Sequence, residues 1–232
     1  MDLKRECLSC GATPLSREHV IPGWLSHRMG VQDDRVQAEQ GHFRWPAGRT
    51  TADRGSPFKL GSMVVRAVCA SCNNGWMSRL EVRFEESWGA RFTDARGDIS
   101  PQAAEVASLW LLKTAFMHHQ WYPISEVAGL KAAFRALSVN ELPPGIVGIG
   151  QHLGPRTVNA RLQYLKRPEL LGSAVCDTLI YRAVIGEVVF ALMWPGQEES
   201  QGFHSASGFA ELSLNGPTQL NAWPIITSPL TI

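Results

Sequence analysis

The sequence contains no long apolar run. Its most apolar stretch, Val188 to Trp194, spans seven residues and is stopped on its upstream side by Glu187. A bilayer-crossing helix needs roughly 20, so no membrane span is expected. Charge of one sign is not in excess either: 22 Lys and Arg against 21 Asp and Glu leave a net +1, and no strongly basic or acidic tail points to a partner. The N-terminal MDLKRECLSC has no apolar core of the kind a secretory signal carries. That favours the cytoplasm, where thiols stay reduced and disulfides are not expected. Internal repeats and low-complexity tracts are missing. What remains is a chain of 232 residues, 44% hydrophobic and 19% charged, enough for one large folded domain or two small ones. Disorder and collagen-like structure are excluded.

Charge divides mildly along the chain. Residues 1–97 carry 14 Lys and Arg against 11 Asp and Glu, about +3, and residues 98–232 carry 8 against 10, about −2. Arg44, Arg49, Arg54, Lys59 and Arg66 face only Asp53 as an opposing charge. Such a segment can track a polyanion, although a solvated loop has the same composition.

Cysteine placement is the most informative feature. Four of the five thiols form two matched pairs, Cys7 and Cys10 in CLSC and Cys69 and Cys72 in CASC. A CxxC pair puts two sulfurs on one tight turn, and two such turns supply the tetrahedral cage of a structural zinc ion. Redox-active or merely buried cysteines do not explain two matched pairs. The 58 residues between the pairs form an insertion that leaves the metal and returns to it. Cys176, after Ala174 and Val175, reads as a core thiol.

Between the pairs, Glu18 to Ile21 reads as a short strand closed by Pro22, followed by a helical turn through Trp24, Leu25 and His27. An inserted loop with room for one hairpin covers about 26–62, and Met63 to Val68 is a strand running into Cys69. Trp76, Leu80, Phe84 and Trp88 recur at helical spacing, so an amphipathic helix is expected from Asn73 to about Phe92. A junction near residue 97 divides a first unit, 1–97, from an accessory part, 98–232, of the α+β class. Ser100 caps a largely buried helix there, with Pro101 at its first position, running to about Gln120. A second helix is expected over Ser125–Leu137. Strands follow at Ile146–Ile149, Asn159–Leu165, Ala174–Ile185, Val188–Trp194, Phe209–Leu214 and Leu220–Ile225, in a mostly antiparallel sheet. Trp24, Trp76, Met77, Leu80 and Phe84 read as core, and His118 and His119 as structural residues of an apolar helix.

A zinc cage tying the first turn to the helix start would bring Glu18 and His19 on the strand near Asn73, which directly follows the last cysteine. Their chemistry suits phosphodiester hydrolysis. A carboxylate and an amide carbonyl are hard oxygen ligands for Mg2+ or Mn2+, and a neutral imidazole takes a proton from water near pH 7. Adjacent strand residues point to opposite faces, so this convergence requires a bend or bulge at Glu18-His19.

At these residues the chain resembles a known family. CLSC, SREHVIPGWL and VCASCNNGWMSRLE are similar to the HNH (ββα-metal) endonuclease superfamily, in the branch with a four-cysteine structural zinc site to which phage endonuclease VII belongs. The resemblance covers roughly residues 5–90. It implies a zinc-stabilised ββα unit, with His19 as general base, Glu18 and Asn73 as ligands of a catalytic Mg2+ or Mn2+, and Cys7, Cys10, Cys69 and Cys72 on zinc. It also implies DNA rather than RNA as substrate and, by association, a role in restriction, phage defence or mobile elements. The commoner pattern has Asp at Glu18, His at Asn73 and Lys at Trp76; Asn74 competes with Asn73, and His42 is a candidate for the middle residue of the pattern. Arg44, Arg49 and Arg54 are the expected phosphate contacts. Substrate choice, homodimer formation or regulation are the roles left for residues 98–232. The rival reading is a zinc-stabilised module without turnover that binds nucleic acid or protein through the Arg-rich loop, and a thiol-redox protein is a third.

Overall fold

The computed structural model describes residues 6–195 except 37–38, 45–47, 55–57, 96–97, 122–125, 128, 144–145, 152–156, 166–174 and 177. The strands expected at Phe209–Leu214 and Leu220–Ile225 lie outside the described residues. The architecture is α+β, with small, mostly antiparallel sheets around a central helix.

In the first part of the chain, β1 (Glu18–His19) is followed by α1 (Gly23–Arg28). The long insertion is more ordered than its composition implies. It folds as two nested antiparallel ladders, β2 (Arg35–Val36) with β5 (Phe58–Lys59) and, inside them, the hairpin of β3 (Glu39–Arg44) and β4 (Gly48–Arg54). The chain then returns through β6 (Val64–Val65), which pairs with β1. This strand is shorter than expected, because the backbone groups beyond it turn to other partners: Ala67 O accepts from Leu8 N and Val68 O from Ser16 N.

The expected helix from Asn73 begins earlier and is not continuous. A first turn, α2 (Ala70–Cys72), runs into a wide π-type turn over Asn73–Met77, where Gly75 leaves helical geometry (φ −91°, ψ −109°), and then into α3 (Ser78–Trp88) and a 3-10 turn, Gly89–Phe92. Met77, Leu80, Phe84 and Trp88 form its buried face; of the positions read from helical spacing, Trp76 is only half-buried, and Met77 beside it takes the inward place.

Helix α4 (Pro101–Trp121) is the centre of the molecule, buried at almost every position from Val106 to Met117. Its start is capped as expected, with Ser100 Oγ accepting from Ala103 N at 3.2 Å. The second helix departs from expectation. Glu126–Val127 is strand β7, and α5 (Leu130–Ser138) begins only after Gly129. Gly129 sits at φ +71°, a left-handed conformation that no helix can run through.

The sheet of the second part is antiparallel in the order β8 (Ile146–Gln151), β12 (Val188–Pro195), β11 (Thr178–Gly186), β9 (Thr157–Leu165). The uninterrupted apolar run Val188–Trp194 is explained by this order, since β12 lies inside the sheet and is buried on both faces. A short β10 (Val175–Cys176) pairs in parallel with β7. A tight turn joins β11 to β12, with Gly186 at φ +59° and so close to the first part that an added Cβ would lie 1.9 Å from Phe92 O. Glu187 N donates to that same carbonyl at 2.9 Å.

One apolar core runs from Cys7 to Trp194. Phe84 is its meeting point, within 4.0 Å of Trp110 and 5.8 Å of Phe190 by ring centroids. Side chains from both parts of the chain therefore share a single interior.

Candidate functional site

The two cysteine pairs converge. Sγ atoms of Cys7, Cys10, Cys69 and Cys72 all lie within 4.8 Å of one another, and Cys10 Sγ is 3.6 Å from Cys69 Sγ. Four sulfurs at about 2.3 Å from one tetrahedral ion would stand about 3.8 Å apart, so the donor set fits a metal such as zinc. All four thiols are free of disulfides.

The local backbone explains the convergence. Gly11, at φ +76°, closes the first turn by donating to Cys7 O at 2.9 Å. Cys69 precedes α2 and Cys72 lies in it. Ser16 stitches the two turns together, giving both its N (2.7 Å) and its Oγ (2.9 Å) to Val68 O. Burial works against ionisation of Cys7, but donation from backbone N–H groups of Cys10, Cys69 and Ser9 brings its thiol down to about 7. Burial, reinforced by the neighbouring thiols, pushes Cys72 up to about 12. A bound cation would supply the charge that four clustered thiolates need.

The cluster also fixes Asn73, whose Nδ2 donates to Arg17 O at 3.0 Å and to Ser16 Oγ at 3.3 Å. These two bonds use only the amide nitrogen, and Oδ1 has no protein partner among the described residues. The helix start is thus tied to the residues immediately before Glu18-His19. His19 is exposed, and Asn74 beside Asn73 is exposed as well.

Glu18 and His19 do not share a face. They pair regularly with Val65 and Val64, without the bulge that their convergence would require. Glu18 is buried, and its Oε1 accepts from Lys113 Nζ at 2.6 Å. Lys113 Nζ also donates to Glu81 Oε1 at 2.6 Å. Burial alone would lower the Lys113 pKa, but the carboxylates of Glu81 and Glu18 outweigh it and raise the value above the ordinary one. Lys113 and Glu81 were not singled out in the sequence. The signal was present for the first: one lysine inside the apolar run LWLLKTAFM must either snorkel or find a buried anion.

Trp76, at the place where the commoner pattern has Lys, packs edge-on against Phe134 of α5 at 5.3 Å. The three arginines fall on the β3–β4 hairpin. Arg49 is in register with Phe43, Arg54 with Glu39 and Arg44 with Gly48. β4 carries an extra residue opposite His42. His118 and His119 lie late in α4, both held at about 4 by burial.

No helix among the described residues is long and apolar enough to cross a membrane. No protein-family model, curated protein or solved structure matches this chain.

Proposed function

We propose that the protein is a metal-dependent endonuclease that hydrolyses DNA phosphodiester bonds, of the HNH type that its cysteine, Glu-His and Asn segments resemble. The observation that carries the proposal is the Asn73 side chain. It directly follows the last cysteine of a cluster fit for zinc, and it hydrogen-bonds to the carbonyl of Arg17, two residues before an exposed imidazole.

In this reading His19 accepts the proton of the attacking water, a role its exposure permits. Asn73, whose two hydrogen bonds use only its amide nitrogen, offers Oδ1 as a neutral hard ligand. Mg2+ or Mn2+ held there would neutralise charge on a non-bridging phosphate oxygen and on the leaving oxygen. Glu18 can join that ligand set only by giving up Lys113, so Asn73 and the phosphate carry more of the binding than the commoner pattern assigns them. Arg44, Arg49 and Arg54, on the two strands of one hairpin, are the candidates for contacts to backbone phosphates.

The engagement of Glu18 by Lys113 and the packing of Trp76 favour a second reading, a zinc-stabilised module that binds DNA, RNA or a protein without turnover. Supercoiled plasmid incubated with the protein and Mg2+ or Mn2+, beside a His19→Ala control, decides between them. The nuclease reading expects nicking or linearisation that falls by about 10²–10⁴ in the variant, with an unchanged melting temperature because His19 is exposed. Binding without cleavage by either protein establishes the module.

A further inference from the structure

We propose that Lys113 is a positioning residue for the candidate catalytic strand, which makes α4 an integral part of the nuclease unit. The inference rests on the nuclease reading above.

Lys113 is completely buried, and its ammonium is shared by Glu18 of β1, 95 residues earlier, and Glu81 of α3, 32 residues earlier. Three elements that meet nowhere in sequence are therefore joined at one nitrogen. A buried lysine without an anion would lose its proton or leave the interior. The buried carboxylate of Glu18 and the half-buried one of Glu81 would repel each other without a cation, in surroundings that screen them less than water does. The three groups thus hold one another, and the cluster is left with a single net negative charge, on the side of Glu81, which is the most exposed of the three.

The clamp acts on a very short strand, β1, whose facing it sets together with Val20, buried two residues further on and on the same side as Glu18. Its ladder comprises only Glu18 opposite Val65 and His19 opposite Val64, extended by Val20 N donating to Met63 O at 2.9 Å. In a strand, a slip of one residue exchanges the two faces. Drawing Glu18 inward onto Lys113, beside the buried Val20, keeps His19 outward, while the cysteine cluster holds Asn73 against Arg17 just before the strand. Lys113 itself reaches no solvent and touches no substrate.

The test uses the full chain, loaded with zinc. Lys113→Met keeps the length of the side chain and removes the ammonium. Lys113→Met with Glu81→Gln also removes the surplus carboxylate, so that a folded protein with the original cluster charge is available if the single variant fails to fold. Lys113→Arg is the conservative rescue. Plasmid cleavage, zinc content and amide exchange at Val20 are measured for each. The expected result for the double variant is wild-type zinc content, kcat lower by about 10²-fold as for a misplacement of about 1 Å, and KM for DNA within about threefold. Val20 exchange should be at least about tenfold faster, and the arginine variant should recover much of kcat.

A folded, zinc-loaded double variant that keeps kcat within about threefold of wild type overturns the proposal. So does a loss of kcat with Val20 exchange unchanged, because β1 would not have moved. If the wild-type protein does not cleave at all, the nuclease reading fails separately, and Val20 exchange alone decides whether Lys113 clamps the strand.

Discussion

Phe84 and Trp110 lie face to face, with ring centroids 4.0 Å apart and planes within 2° of parallel. The pair joins α3 to α4 across the junction near residue 97, and both rings are fully buried. The Trp110 indole N–H has no partner among the described residues, so what the ring contributes is packing. Trp110→Ala is expected to lower stability by about 3–5 kcal/mol, readable as a shift of the urea midpoint without a large change in slope. A loss below about 1 kcal/mol would mean that the two parts are held together elsewhere.

Asn73 has two separable tasks, and a metal titration distinguishes them. If Oδ1 helps to hold the cation, Asn73→Ala raises the half-saturating Mg2+ concentration for cleavage by at least about tenfold, as loss of roughly 1.4 kcal/mol of binding would. If the amide serves only to tie Arg17, the variant is slower at every Mg2+ concentration and the half-saturation point stays where it was. The two lost hydrogen bonds cost about 1 kcal/mol each in stability in either case.

Much of this site was legible before the fold. The paired CxxC spacing names a metal cage whatever surrounds it, because thiolate chemistry depends on residue type and turn geometry. Most of the core face of α3, Leu80, Phe84 and Trp88, followed from helical spacing, although Met77 and not Trp76 takes its first buried place. Three features were not legible, each for a physical reason. The partner of Glu18 lies 95 residues away, and no local pattern encodes a tertiary ion pair. The start of α5 was misplaced because apolar spacing alone does not reveal that Gly129 takes a left-handed conformation. The outer ladder of the insertion, β2 with β5, escaped because it is only two residues long and Gly, Pro and Arg residues suit turns as well as short strands.

Metal removal gives the next expectation. The cluster joins the first turn, β1 by way of Ser16 and Asn73, and the start of α2, and binding free energies of structural zinc sites run to roughly 10–16 kcal/mol, as large as the whole stability of many domains. Cys72→Ser, or a strong chelator, should therefore abolish cooperative unfolding and near-ultraviolet circular dichroism, with about one zinc per chain recovered from the native protein. Retention of a sharp melt at wild-type temperature after complete metal loss would remove the cluster from the folding core.

The pH dependence of stability should report the two buried imidazoles of α4. His118 and His119 are held at about 4 by burial, with the adjacent imidazole adding at His118, against an ordinary value of about 6.5. Between those limits the unfolded chain binds protons that the native one refuses, so stability is fully present above about pH 6.5 and declines as pH falls through about 4. Each group accounts for on the order of 3 kcal/mol over that window. His118→Phe removes one titration and preserves a ring against Tyr181, whose centroid lies 5.7 Å away in an edge-to-face contact. His118 Nδ1 is buried without a partner, so its replacement forfeits no hydrogen bond at that atom. The variant should match or exceed wild-type stability at pH 7 and lose about half as much between pH 6.5 and 4, with zinc content measured at each pH to separate this effect from thiolate protonation. An identical acid decline in the variant would show that the carboxylates or the thiolates, and not the buried histidines, set the acid limit of the fold.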